Sequence, residues 1–183
     1  MLIPNTLQAN NVKNSAVIFM YHKFDVSKYP STNITLKQFE EHLQEFSHSK
    51  YNLKSLDYII DTIVNNGDLP ANTIGLSVDD ADRSFLTKAW PLLKKKGFPV
   101  TLFVTTNAIN SKNYLNWDEI RQLKNEGVII GAHAHNHEHM TSLTAEELNE
   151  VIETSNKFFL KEIGEIPSLF AYPYGEANKN IID

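Results

Sequence analysis

The chain has no cysteine among its 183 residues, which excludes thiol catalysis, thiolate metal sites and disulfide bonds. Long apolar runs are missing as well. The longest, Ala16 to Tyr21, is far too short to cross a membrane as a helix. Positive charge is not in excess either, because the formal net charge is −5 and the charges are spread along the chain. This balance argues against a general nucleic-acid-binding surface.

The first twelve residues contain neither Lys nor Arg and no apolar segment, so they are not an intact secretory signal. We expect a cytoplasmic protein if the chain is native as given. If a signal has been removed, we expect a periplasmic, extracellular or cell-envelope protein. The length and the 42% hydrophobic content suit a single domain with one sizeable core.

Apolar segments of strand type alternate along the chain with amphipathic segments of helix type. The predicted strands are Ala16 to Tyr21, Thr73 to Val78, Val100 to Val104, Val128 to Ala132 and Ser168 to Tyr172. Helices are predicted to begin at or after Thr35, Ser55, Ser84, Asn116 and Thr144. These positions carry capping residues or capping boxes. Strands separated by helices of this length indicate βα units with parallel pairing and helices on the outside.

Four of the seven histidines lie within seven residues, directly after the predicted strand that ends at Ala132. If this segment turns helically, either His133 with His137 or His135 with His139 could face one centre, since side chains at i and i+4 share a face. The two pairs would point in different directions. The alternative is a polar surface loop that binds metal only adventitiously.

Two further polar motifs follow predicted strands. Asp79 and Asp80 come directly after the strand that ends at Val78, and Tyr172-Pro173-Tyr174-Gly175 ends the last strand. In a parallel barrel the C-terminal ends of the strands carry the active site. Two histidines with one carboxylate are a common catalytic ligand set. Together the motifs favour a metal-dependent active site at this edge of the sheet.

The order of these motifs resembles that of the polysaccharide deacetylases of carbohydrate esterase family 4, the NodB-homology domain. Residues 77–81, Ser-Val-Asp-Asp-Ala, are similar to the family's Thr-Phe-Asp-Asp-Gly. Residues 131–137, Gly-Ala-His-Ala-His-Asn-His, are similar to its Gly-Asn-His-Thr-x-x-His. The resemblance implies that Asp80, His133 and His137 bind one divalent metal ion. Zinc is expected, with cobalt or nickel as alternatives.

The same resemblance implies that Asp79 is the general base and that His135 and His139 are not ligands. It implies a distorted TIM-like (β/α) barrel of about seven parallel strands, with residues 1–14 as an N-terminal extension and residues 15–183 as the domain. The implied activity is removal of N-acetyl groups from an N-acetylglucosamine-containing polysaccharide. Asp79 would take the proton of a metal-bound water, whose pKa the metal lowers toward ~7.

The sequence departs from the family pattern at several positions. Ala81 replaces the Gly of the family's first motif, and Ala134 replaces a Thr or Ser of the second. Ala171 occupies the position of the Arg that begins the third motif. The form around Ala171, together with Met20-Tyr21-His22, resembles the exopolysaccharide (poly-N-acetylglucosamine) deacetylase branch. The family's later motifs, a Trp-bearing strand and a Leu-x-Leu-His whose His is the general acid, do not occur before Asp183. The domain is therefore predicted to be incomplete at its C-terminal end.

Candidate substrate contacts lie on the same predicted edge. His22 follows the first strand and could touch the substrate or serve as an acid, although a hydrogen-bonded histidine at a strand end is the alternative. Tyr172 and Pro173 are further candidates for substrate binding. The backbone N–H of Tyr174 is a candidate donor to the reaction's oxyanion, while Pro-Tyr-Gly is also an ordinary turn.

Two other functions fit the same residues. One is a carbohydrate-binding barrel of the same fold that has lost turnover, which the missing C-terminal motifs favour. The other is a hydrolase of small amides on a similar barrel. The intact set of Asp79, Asp80, His133 and His137 favours an enzyme over the first alternative.

Overall fold

A parallel sheet of five strands forms the centre of the chain in a computed structural model, which describes residues 15–182. The predicted N-terminal extension, residues 1–14, lies outside the described residues. The strands are Ala16–Tyr21 (β1), Lys23–Phe24 (β2), Asn33–Ile34 (β3), Asn52–Leu53 (β4), Thr73–Val78 (β5), Thr101–Val104 (β6) and Ile129–Ala132 (β7). In the sheet, β1, β5, β6 and β7 pair in that order, and β4 pairs with the beginning of β5. A separate parallel pair joins β2 to β3.

The helices are Leu36–Phe46 (α1), Leu56–Val64 (α2), Trp90–Lys96 (α3), Trp117–Asn125 (α4), Ala145–Ile163 (α5) and Lys179–Ile182 (α6). Helices α1 to α4 connect the strands from β3 to β7, as the alternating sequence pattern predicts, and α5 and α6 follow β7. The predicted caps at Thr35, Asn116 and Thr144 are confirmed, because each side chain accepts the N–H of the third helical residue and forms a full capping box. Ser55 occupies its predicted cap position without a side-chain hydrogen bond. Among residues 15–182, no helix combines the length and the apolar character that crossing a membrane requires.

The predicted helix after Ser84 is regular only in its second half. Residues Phe85–Ala89 form a π-helical turn, and α3 begins at Trp90. The helix ends at Gly97, which has a left-handed φ of 67°. Trp90 and Trp117 lie in the core and are 7% and 5% exposed.

The prediction of a full strand over residues 168–172 is wrong. This segment forms a single parallel bridge between Phe170 and Ala132. The ladder stops there because Ala134 has a φ of 60° and turns the chain away. The carbonyl oxygen of Ala171 then accepts the side chain of His133 instead of a backbone N–H.

The described strands establish the predicted α/β fold with a parallel sheet. β1 and β7 lie at opposite ends of the strand order, and β2 and β3 pair separately. Closure of the sheet into a barrel of about seven strands is not shown among residues 15–182. This sheet is sufficient to bring the ends of β1, β5 and β7 to one edge, because parallel strands share their direction.

Gly131 allows the strand that leads into the histidines to lie flat against its neighbour. A Cβ at this position would collide with the ring of Phe103 and would lie 3.3 Å from the carbonyl oxygen of Leu169. We expect Gly131→Ala to lower the free energy of unfolding by about 1–3 kcal/mol, the usual cost of overpacking. Urea unfolding measures this. In a double-mutant cycle with Phe103→Leu the cost should shrink, and an undiminished cost would contradict a clash with that ring.

Candidate metal centre

Asp80, His133 and His137 converge on one point at the C-terminal edge of the sheet. Their ligand atoms all lie within 4.8 Å of one another. The Oδ1 atom of Asp80 is 3.4 Å from Nε2 of His137 and 3.8 Å from Nε2 of His133. Ligand atoms around a tetrahedral zinc ion are about 3.3 Å apart. The three side chains therefore fit a divalent metal with only small adjustments.

Backbone conformation, rather than a helix, brings the two histidines together. The expected helical turn after β7 is absent, since residues 133–139 have no helical structure. Instead, Ala134 and His137 adopt left-handed φ values of 60° and 61°. The turn places the rings of His133 and His137 with their centroids 4.9 Å apart. The two rings that the i, i+4 spacing pairs do meet, but through an irregular loop and not through a helical turn.

His133 is oriented by the bridge next to the strand end. Its Nδ1 lies 2.8 Å from the carbonyl oxygen of Ala171, and because a carbonyl can only accept, this nitrogen carries the proton. Nε2 is then free to bind a cation, an arrangement common for metal-binding histidines. The side chain is only 2% exposed, and burial lowers the pKa of His133 below its ordinary value. The imidazole is thus neutral at neutral pH, as a ligand must be.

The other two histidines of the cluster point elsewhere. Nδ1 of His135 is 2.7 Å from Oγ1 of Thr106, and the ring stacks on Phe158. His139 stacks on Tyr174, and its Nδ1 lies 3.0 Å from Oε2 of Glu176. Of the two pairs that the spacing permits, the structure brings only His133 and His137 to Asp80.

Asp79 lies beside the three-residue cluster and is almost fully buried. Its backbone N–H donates to the carbonyl oxygen of Tyr21 at 2.9 Å, which ties the end of β5 to the end of β1. The side chain is 5% exposed, and its Oδ1 has no hydrogen-bond partner among the described residues. Burial, together with the negative charge of Asp80, raises the pKa of Asp79 from 3.8 to about 7. A carboxyl group with this pKa can both accept and return a proton near neutral pH.

A cleft of about 540 Å³ opens beside the cluster and is the natural place for a substrate. Its walls include His22, Tyr172 and Tyr174 as well as Asp79. Burial lowers the pKa of His22 below its ordinary value, so this ring is neutral at neutral pH. The hydroxyl of Tyr172 already donates to the carbonyl oxygen of Ile181 at 3.1 Å.

Pro173 does not join this wall, because it is buried in the 3₁₀ turn Pro173–Gly175. Tyr174 is the exposed residue of that turn and has a left-handed φ of 60°. The turn is closed by the N–H groups of Gly175 and Glu176, which donate to Tyr172 and Pro173. The N–H of Tyr174 takes no part in closing it.

Lys23 is a site residue that the sequence reasoning missed. Its Nζ lies 3.7 Å from Oδ2 of Asp80, the carboxylate oxygen that faces away from the two histidines. The lysine is 8% exposed. Its position directly after His22 was the available signal, although nothing in the sequence pairs it with Asp80.

A family model described as polysaccharide deacetylase matches residues 66–183, more than half of the chain. The protein belongs to this family. YxkH of Bacillus subtilis is 22% identical over 165 residues, which cover 90% of this chain and 58% of YxkH. The poly-beta-1,6-N-acetyl-D-glucosamine N-deacetylase of Staphylococcus aureus strain MRSA252 is 23% identical, covering 92% of this chain and 61% of that protein. The chain spans about three fifths of the length of these relatives.

Solved structures resemble this fold over most of the chain. The Streptococcus pyogenes deacetylase PplD in complex with acetate has a TM-score of 0.81 and 24% identity, covering 93% of this chain and 78% of its own. IcaB from Ammonifex degensii has a TM-score of 0.77 and 19% identity, with coverages of 91% and 77%. At these identities the likeness supports the fold.

Proposed function

We propose that this protein is a metal-dependent hydrolase that removes N-acetyl groups from an N-acetylglucosamine-containing polysaccharide. The observation that carries the proposal is the convergence of Asp80, His133 and His137 beside a buried Asp79 in an open cleft. Membership of the polysaccharide deacetylase family supports the same chemistry.

A divalent ion held by Asp80, His133 and His137 would supply Lewis-acid activation of water and of the acetyl carbonyl. Zinc is the metal we propose, since two imidazoles and one carboxylate suit it. His133 contributes its neutral Nε2 because Ala171 holds the proton on Nδ1. Lys23 lies beside the other carboxylate oxygen of Asp80, Oδ2. Its positive charge favours the ionised form of Asp80, which can offer Oδ1 to the ion.

Asp79 takes the proton of the attacking water in this proposal. Its side chain shares the cleft with the ligands, and its free Oδ1 has no competing hydrogen bond among residues 15–182. A pKa of about 7 suits this task, because general bases work best when their pKa lies near the operating pH. Once protonated, the same carboxyl group can give its proton to the leaving amine. His22, in the same wall, is a second candidate for that donation.

The N–H of Tyr174 is the donor that we assign to the developing oxyanion. It belongs to the first turn of a 3₁₀ helix, where backbone N–H groups lack partners within the helix. Tyr174 is far from Asp79 and His22 in the sequence, but all three residues line the same cleft. A preorganised N–H of this kind stabilises negative charge where it develops during the reaction.

The polysaccharide substrate is inferred from the relatives and from the shape of the site. The Staphylococcus aureus relative is named for poly-beta-1,6-N-acetyl-D-glucosamine. The cleft here is open and lined by polar and aromatic groups, which suits a sugar chain that must enter from the side. In this proposal a polysaccharide of the cell envelope places the working enzyme outside the cytoplasmic membrane.

The purified protein should contain close to one equivalent of divalent metal and should release acetate from N-acetylglucosamine oligomers. A chelator should abolish the release, and zinc, cobalt or nickel should restore it, because the three ligands are the only anchors we assign to the ion. Elemental analysis and an acetate assay on the same sample measure both. Metal without acetate release would favour a carbohydrate-binding protein without turnover. Failure to take up any of the three metals would contradict the site itself.

A further inference from the structure

Three aromatic rings form a continuous contact that runs outward from the candidate metal centre. The rings of His137 and Tyr174 meet at 73°, with their centroids 4.5 Å apart. His139 stacks face to face on Tyr174, with centroids 3.8 Å apart and planes 6° from parallel. Tyr174 therefore contacts both a proposed metal ligand and a histidine to which the family resemblance gives no role.

His139 is itself anchored by an acidic side chain from the same turn region. Its Nδ1 lies 3.0 Å from Oε2 of Glu176. That oxygen also accepts the hydroxyl of Thr141 at 3.4 Å. Glu176 is two residues beyond Tyr174, and its N–H closes the turn by donating to Pro173. The His139–Glu176 contact thus links the histidine loop to the C-terminal end of the Tyr174 turn.

The Tyr174 turn needs such support. A tyrosine with a φ of 60° adopts a conformation that residues other than glycine rarely hold without help from their surroundings. Gly175, the next residue, is also left-handed, so the turn contains two consecutive positive φ values. The Tyr174 side chain is largely exposed, and burial in a core does not fix it. The contacts with the rings of His137 and His139 define the position of the Tyr174 ring.

We propose that His139 and Glu176 are positioning residues: they hold the Tyr174 turn so that its backbone N–H faces the reacting acetyl group. The inference rests on the proposed function, because it concerns the donor assigned to the oxyanion. His139 and Glu176 touch neither the substrate nor the metal. They act through the ring of Tyr174 and the backbone of its turn.

The decisive variant is His139→Ala, measured on metal-loaded protein. We expect kcat for acetate release to fall about 10-fold, since displacing a catalytic donor by a fraction of an ångström weakens it without removing it. KM for the oligosaccharide should change less than about twofold, and the metal content should stay the same. The affinity for acetate, followed by NMR titration, should also weaken, because a carboxylate would occupy the place of the oxyanion.

Two further variants separate the stack from the ion pair. His139→Phe keeps a flat ring over Tyr174 and should recover most of the lost kcat. Glu176→Gln keeps a hydrogen-bond acceptor for His139 and should lose less than His139→Ala. If His139 only stabilised the folded protein, His139→Phe would not restore kcat by itself. Recovery of kcat in this variant therefore supports the positioning role.

His48→Ala is the matched control. His48 is also an exposed histidine beside a glutamate, with Nε2 3.6 Å from Oε2 of Glu45. It lies just after α1, outside the cleft, and its replacement should leave kcat, acetate affinity and metal content unchanged. A loss in His48→Ala equal to that in His139→Ala would overturn the positioning role.

The outcomes also separate this inference from the proposed function. If the wild-type protein releases acetate and His139→Ala matches it in kcat and acetate affinity, the positioning role is wrong and the deacetylase function stands. If the metal-loaded wild type neither releases nor binds acetate, the proposed function itself fails, and the assignment of His139 fails with it.

Discussion

Asp79→Asn should reduce acetate release by about 1,000-fold or more while leaving the metal in place. A proton acceptor of this kind contributes about 10²–10⁴-fold, and an amide cannot accept the proton. Metal binding should survive because the ligand atoms belong to Asp80, His133 and His137. Acetate assays and elemental analysis of the same preparation measure the two effects. Loss of metal together with activity would instead place Asp79 among the ligands.

The same substitution should make the metal-free protein more stable at alkaline pH. The pKa of Asp79 is about 7 in the folded protein and near 3.8 in the unfolded chain. Between these values the folded state binds more protons than the unfolded state, so the wild-type free energy of unfolding falls as pH rises. Above pH 7 the full cost of burying the charge is present. Asn removes this cost, which we place on the order of 2–4 kcal/mol.

Urea unfolding of both proteins, freed of metal with a chelator, tests this pH dependence. The difference in the free energy of unfolding should be small near pH 4 and largest at pH 8. Asp68→Asn, which changes an exposed carboxylate in the loop before β5, is the matched control and should show no such trend. A constant difference across the pH range would contradict the raised pKa of Asp79. A large gain in stability with a loss of activity would also show that the buried charge is kept for chemistry.

His137→Ala should abolish most metal binding, whereas His139→Ala should leave it nearly unchanged. The two histidines are two residues apart, but only His137 directs a ring nitrogen at Asp80, 3.4 Å away. His139 directs its Nδ1 at Glu176. Loss of an outer partner of a ligand costs about 10–100-fold in metal affinity, so removal of the ligand itself should cost at least as much.

Competition with a chelating dye gives the dissociation constants of wild type and both variants. His135→Ala serves as a second control, because its ring bonds Thr106 and stacks on Phe158. Equal losses in His137→Ala and His139→Ala would show that the assigned pair is wrong. His139→Ala should nevertheless lose kcat through the Tyr174 turn, so metal binding and turnover are expected to separate in this variant.

Local sequence signals predicted much of the secondary structure because the interactions that produce it are local. The capping boxes at Thr35, Asn116 and Thr144 join residues three apart and form wherever the helix begins. Strands β1 and β5 are apolar runs, and their observed bounds match the predicted ones. The last predicted strand failed because its pairing depends on a distant partner. Ala134 turns that partner away, and His133 takes the next acceptor.

The sequence by itself determined the order of the motifs, and with it the family and the short set of candidate ligands. It left two histidine pairs open, because spacing along the chain does not determine the direction of a side chain in an irregular loop. The tertiary structure brings one pair, His133 and His137, to Asp80 through a loop with a left-handed backbone at Ala134 and His137.

Only the tertiary structure placed Lys23 beside Asp80 and His139 upon Tyr174. These contacts join segments that are far apart in sequence, and they arise because parallel strands bring their C-terminal ends to one edge. The raised pKa of Asp79 has the same origin. Burial beneath the end of β1 and the neighbouring charge of Asp80 convert an ordinary carboxylate into a group that can exchange a proton at neutral pH.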